Sequence, residues 1–132
     1  MQRTREETRL RFVDVTLADF DNGVLIVEGA NDVGAMRRLG VGAITVNQLM
    51  AEGYNVIGAK IAYVAMDIDH LADDKRDHAI SFLRENYPTV RIDTSKAERF
   101  QKALGVSSME QAVGPVTELR RKVDGGKGSV NW

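Results

Sequence analysis

Val24-Leu25-Ile26-Val27 is an unbroken apolar run rich in β-branched residues, and Glu28-Gly29 follows it at once. A run so short, with no polar residue alternating through it, suits a strand covered on both faces, as in a parallel sheet sandwiched between helices. Ile61 to Met66 repeats the pattern, and it too ends on acids, Asp67 and Asp69. Two such strands require helices between and around them, and the rest of the chain supplies the signals.

Thr4 with Glu7 three residues later forms a capping-box pattern ahead of Leu10 and Val13, which predicts a short leading helix. After the first strand, Asn31 or Asp32 is placed to cap a helix through Val33, Met36 and Leu39, with Gly40 where a helix commonly stops. Ala43 to Val46 reads as a second strand and Gln48 to Glu52 as a short helix before Gly53. Asp73 and Asp74 open a longer helix that runs to Asn86 ahead of Pro88, and Val90 to Ile92 makes a fourth strand. Lys96 to Leu104 is a helix closed by Gly105. Ser107 and Glu110 form a second capping box before Met109, Ala112, Val116, Leu119 and Val123, a helix that Gly114-Pro115 is expected to bend or split.

Strands alternating with helices predict an α/β fold, a three-layer α/β/α arrangement around a mainly parallel four-stranded, Rossmann-like sheet with right-handed crossovers. Residues 1–123 form one domain, with its core at 24–93 and C-terminal helices at 96–123. The glycine-rich 124–132 is expected to be a flexible tail. At 132 residues, 43% hydrophobic and 28% charged, the balance is that of an ordinary globular domain. The chain has no cysteine, so disulfides, thiolate catalysis and cysteine-ligated metals are excluded. A charged start and the lack of any apolar stretch of ~18 to 20 residues point away from the membrane and to the cytoplasm. A net charge of −1 does not supply the basic excess with which a domain grips nucleic acid by charge alone.

In parallel α/β sheets, ligands gather beyond the carboxyl ends of the strands, where Glu28 and Asp67 fall. Asp67 and Asp69 are two apart, so in extended backbone they project to one side and can share a cation. Magnesium takes oxygen ligands and keeps several waters, so one or two carboxylates with a substrate phosphate complete a site. Glu28 supplies a third carboxylate if its strand neighbours the Asp strand. A Glu directly after four core residues has a burial cost to justify, and Gly29 is expected to let the backbone turn toward a ligand.

The segment VLIVEGANDVGAMRRLG, with its Glu 39 positions before the first Asp of IAYVAMDID, resembles the Toprim domain. Bacterial primases, topoisomerases, recombination mediators, overcoming-lysogenization-type nucleases and ribosomal RNA maturases share that domain. The likeness spans residues 24 to 93, and the chain is most similar to small stand-alone Toprim proteins of archaea and bacteria. It implies Glu28 as general acid/base, Asp67 and Asp69 as ligands of Mg2+ or Mn2+ together with Glu28, and Gly29, Asp32 and His70 as accessory positions. Two positions depart from the common pattern: His70-Leu71-Ala72 follows the Asp pair where a Gly is usual, and Ala30 stands where many members carry Lys.

The resemblance implies magnesium-dependent phosphodiester chemistry on DNA or RNA, by a small nuclease or a nucleotidyl-transfer module within a larger assembly. A non-catalytic metal-binding module that docks to a nucleic-acid-processing protein is the alternative. A haloacid-dehalogenase-type phosphatase ranks third, since that family sets its Asp pair on the first strand. His70, Asp73, Asp74, Asp77 and His78 read as the acids and neighbours of a helix start rather than a second metal site. Arg37-Arg38, Lys75-Arg76 and Arg120-Arg121-Lys122 suit either phosphate contact or solvated helix faces.

Overall fold

The computed structural model describes residues 4–51, 56–67 and 73–128. In chain order the elements are α1 (Arg5–Asn22), β1 (Val24–Val27), α2 (Ala30–Arg38), β2 (Ile44–Thr45), α3 (Val46–Ala51), β3 (Ile61–Ala65), α4 (Asp73–Asn86), β4 (Arg91–Asp93), α5 (Ser95–Leu104), a 3-10 turn (Met109–Gln111) and α6 (Val113–Gly128). All four strands are parallel, in the order β2-β1-β3-β4. The fold is therefore the expected three-layer α/β/α arrangement.

The chain moves one way from β1 to β2 and the other way from β3 to β4. Right-handed crossovers in opposite directions must put α2 and α4 on opposite faces of the sheet. The core records this. Leu25, Val27, Tyr63 and Ala65 face Met36 of α2 together with residues of α1, α5 and α6, whereas Ile26, Ala62, Val64 and Met66 face Leu49 of α3 and Ala79 and Leu83 of α4. Alternate strand residues thus feed two cores, which is why the runs are apolar without interruption. On the first face Phe20 stacks edge-on against Tyr63 (ring centroids 5.2 Å apart) and Phe100 (5.6 Å), tying α1, β3 and α5. Such pairs contribute about 0.5–1.5 kcal/mol each beyond burial.

Several local expectations change. The leading helix is long rather than short, 18 residues, because Val13, Thr16, Leu17 and Phe20 carry its buried face far past Val13. Its cap is as expected, with the Thr4 hydroxyl accepting from the Glu7 N–H at 3.1 Å. The second strand shortens to two residues, because Thr45 caps α3: its hydroxyl accepts from the Gln48 N–H and the Gln48 side chain accepts from the Thr45 N–H. The Ser107/Glu110 box does not form. Ser107 donates instead to the Gln111 side chain, and the break falls at Ala112, so that Pro115 lies in the first turn of α6, where its missing N–H costs nothing. The segment expected to be a flexible tail from Asp124 is helical through Gly128.

Gly23 is required by space. A Cβ there would lie 2.9 Å from the Ile61 carbonyl oxygen and 2.9 Å from the Tyr63 ring, so α1 could not hand over to β1 so close to β3. No described helix is long and apolar enough to cross a membrane.

Candidate functional site at the carboxyl edge

The strand order reverses direction between β1 and β3, so the helices that follow these strands leave on opposite faces and open a crevice between their carboxyl ends. Register fixes what lines it. Val27 pairs with Ala65, which sets Glu28 level with Met66 and one residue short of Asp67. The Asp67 backbone N–H donates to Glu28 Oε2 in a long hydrogen bond of 3.4 Å. Acids 39 residues apart in sequence are thereby brought to one place, as the side-by-side placement of their strands demanded.

Glu28 continues the parity of Ile26, the residue that packs toward α3 and α4, and a cation from α4 meets it. Lys75 Nζ lies 3.4 Å from Glu28 Oε1. The Glu28 side chain retains 20% of its exposure and that of Lys75 54%. Asp67 is half-buried, with Oδ1 shielded from solvent. Two acids so placed favour a nearby cation, and oxygen donors suit a hard one such as magnesium. Asp69 and His70, the other proposed ligand and its accessory neighbour, lie outside the described residues. Among the described residues no group of three or more His, Asp or Glu is arranged to hold a metal ion.

The accessory candidates fare differently. Asp32 is 6% exposed, and both of its oxygens are engaged by backbone: Oδ2 accepts from the Gly29 N–H at 3.0 Å and Oδ1 from the Glu110 N–H at 2.8 Å. It caps α2 from the third helical position, where Asn31 or Asp32 had been expected as the cap itself, and it anchors the 3-10 turn of a segment 78 residues away. Both of its acceptor oxygens are thus engaged by the scaffold. Gly29 takes an extended conformation (φ −143°) open to any residue, and a Cβ there would find only Asp32 Oδ2 within 4 Å, at 3.9 Å. The expectation that Gly29 is needed for a sharp backbone turn is therefore not met.

Sequence reasoning missed two participants. Lys75, with Arg76, suits either phosphate contact or a solvated helix face by sequence, and only the packing of α4 shows it reaching Glu28. Gln101 is 1% exposed, and its Nε2 donates to the Met66 carbonyl at 3.4 Å, tying α5 to the backbone just ahead of Asp67. Its signal was available: an amide on the stripe formed by Ala97, Phe100 and Leu104. In the Arg120-Arg121-Lys122 cluster, Arg120 lies 3.2 Å from Asp14 of α1 and Arg121 is forked onto Glu118. Asp74, Asp77 and His78 are exposed on α4 and form no metal cluster among the described residues.

No protein-family model matches the chain, and no curated protein matches it. Among solved structures, a protein of unassigned activity from Aquifex aeolicus aligns with a TM-score of 0.59 at 17% identity, over 83% of this chain and 99% of that one. The likeness is one of fold alone. It gives the three-layer architecture a counterpart and leaves the chemistry to be argued from the residues.

Proposed function

We propose that the chain is a Toprim-like module for magnesium- or manganese-dependent phosphodiester chemistry on nucleic acid, a small nuclease or nucleotidyl-transfer unit working in the cytoplasm, alone or within a larger assembly. The observation that carries this reading is the convergence of Glu28 and Asp67 at the switch point between β1 and β3, where the Asp67 N–H meets the Glu28 carboxylate. Glu28 and Asp67, with Asp69, are the residues that would hold the ion, which supplies charge stabilisation to the phosphoryl oxygens when bound. Glu28 then sits at the edge of the crevice to take or return the proton of a reacting hydroxyl or water. Asp67 would share the ion with it, and Gln101 donates to the Met66 carbonyl and so ties the backbone just ahead of Asp67 to α5.

A second reading, a non-catalytic module that binds a cation and docks to a nucleic-acid-processing partner, is favoured by the net charge of −1 and by an ion pair that already neutralises Glu28. The phosphatase reading draws no support from the fold, since the first strand ends at Glu28 and the Asp pair follows the third.

Incubating the protein with single-stranded DNA, structured RNA and a generic phosphomonoester, each with magnesium or manganese, separates these readings. Cleavage of nucleic acid that Glu28→Gln and Asp67→Asn each reduce by about 100-fold or more supports the first, on the scale general acid–base groups contribute. Manganese binding by calorimetry with no turnover of any substrate leaves the second. Turnover of the phosphomonoester alone would overturn both.

A further inference from the structure

The pairing of Lys75 with Glu28 places a mobile cation inside the site. Lys75 is the third residue of α4, close beyond the Asp pair in sequence, and its ammonium approaches the same carboxylate that the proposed ion would use. The geometry is lopsided in a useful way: the Glu28 side chain is 20% exposed and held by the Asp67 N–H, whereas that of Lys75 is 54% exposed and rises from a helix surface. One partner is fixed and the other can swing. A long, flexible ammonium side chain loses little by exchanging one oxyanion for another, and phosphate oxygens are as good an acceptor for it as a carboxylate.

We propose that Lys75 is the site's built-in counter-ion and phosphate arm. It neutralises Glu28 while no divalent cation is bound; with an ion held by Glu28, the Lys75 ammonium would leave that carboxylate and contact the phosphate group of the substrate. This rests on the metal-dependent reading above and adds to it a residue and an order of events.

Two consequences follow with opposite signs. Removing the lysine charge frees Glu28, so manganese should bind more tightly; since exposed ion pairs are weak, the gain should be about two- to five-fold at low salt and smaller at high salt. Removing the same charge should weaken inorganic phosphate binding to the manganese-loaded protein, by roughly three- to ten-fold for the loss of one hydrogen-bonded contact.

The experiment is titration calorimetry of the full chain with manganese, then with inorganic phosphate on the manganese-loaded protein. Wild type is compared with Lys75→Met, Lys75→Gln and Arg84→Gln, the last removing a positive charge from the far end of α4. Tighter manganese with weaker phosphate in both Lys75 variants, and neither change in Arg84→Gln, is the result expected. If wild type binds manganese through Glu28, as a Glu28→Gln control would show, yet the Lys75 variants match it in both titrations, the counter-ion role is overturned and the metal site stands. Equal changes in Arg84→Gln would also overturn it, because the effect would then be general charge rather than this contact. If wild type and the Lys75 variants alike bind no manganese, the metal-dependent reading and the role of Lys75 fall together.

Discussion

Replacing Asp32 by Ala tests whether this acid serves the fold or the site. The side chain accepts two backbone N–H bonds, from Gly29 at 3.0 Å and from Glu110 at 2.8 Å, while only 6% exposed. Hydrogen bonds to a charged group contribute about 1.5–3 kcal/mol each. Glu110 is exposed, so its freed N–H can turn to water and recover part of that loss; the half-buried Gly29 N–H recovers less. The net cost of Asp32→Ala should be about 2–4 kcal/mol, beyond the roughly 0.5–2 kcal/mol of an ordinary cap deletion, because the same carboxylate also joins α2 to the 3-10 turn. Against a total stability of roughly 5–15 kcal/mol this is large, and for a domain of this size it lowers Tm by about 10 °C. Asp32→Asn keeps one acceptor and turns an amide N–H toward the other donor, so it should recover no more than half. Urea unfolding, with its slope unchanged and its midpoint shifted, measures the effect. A midpoint within about 0.5 kcal/mol of wild type, the range of ordinary surface changes, would refute the structural role. So would a loss of manganese affinity at unchanged stability, since that would make Asp32 a ligand after all.

Two further outcomes are expected. Gly23→Ala forces a Cβ to within 2.9 Å of the Ile61 carbonyl and the Tyr63 ring, and should cost about 1–3 kcal/mol in urea unfolding, whereas Gly29→Ala, with nothing nearer than 3.9 Å, should be close to neutral. Asp93 should govern part of the acid sensitivity. Burial pushes its carboxyl up, but the backbone N–H groups of Lys96 and Ser95, the Ser95 hydroxyl and the Lys96 charge outweigh this and hold it below its ordinary value. A depressed folded value means that the stability it adds is fully present above the unfolded carboxylate value of about 4 and is lost as pH falls through the lower folded value. Stability measured from pH 6 down to pH 2 should therefore fall less steeply in Asp93→Asn, which keeps a capping oxygen without the charge; an unchanged slope would count against the assignment.

Much of the fold was legible because its signals are local. The apolar runs at Val24–Val27 and Ile61–Ala65, the Thr4/Glu7 cap, and the helix-ending Gly40 and Gly105, both at positive φ, each report on one element and its immediate neighbours. Where the local signal was ambiguous, packing decided. Thr45 could continue a strand or cap a helix, and it does both, ending β2 and opening α3. Ser107 and Glu110 carried the pattern of a capping box, but the Glu110 N–H is bound by Asp32, and no local pattern reveals a competitor 78 residues away.

The amino-acid sequence by itself determined that this chain alternates buried strands with helices and that acids stand directly beyond two of the strands, because hydrophobic periodicity and caps act over a single turn or strand. Only the tertiary structure decided that β1 and β3 are neighbours, that Lys75 of α4 meets Glu28, that Asp32 accepts from two backbone N–H groups and that Gln101 supports the end of β3. These contacts join residues 35 to 78 positions apart, or cross from one layer to the next, and they depend on which face each crossover takes. A carboxylate is the same carboxylate in either role; what it does here depends on whether a backbone N–H or a lysine ammonium reaches it.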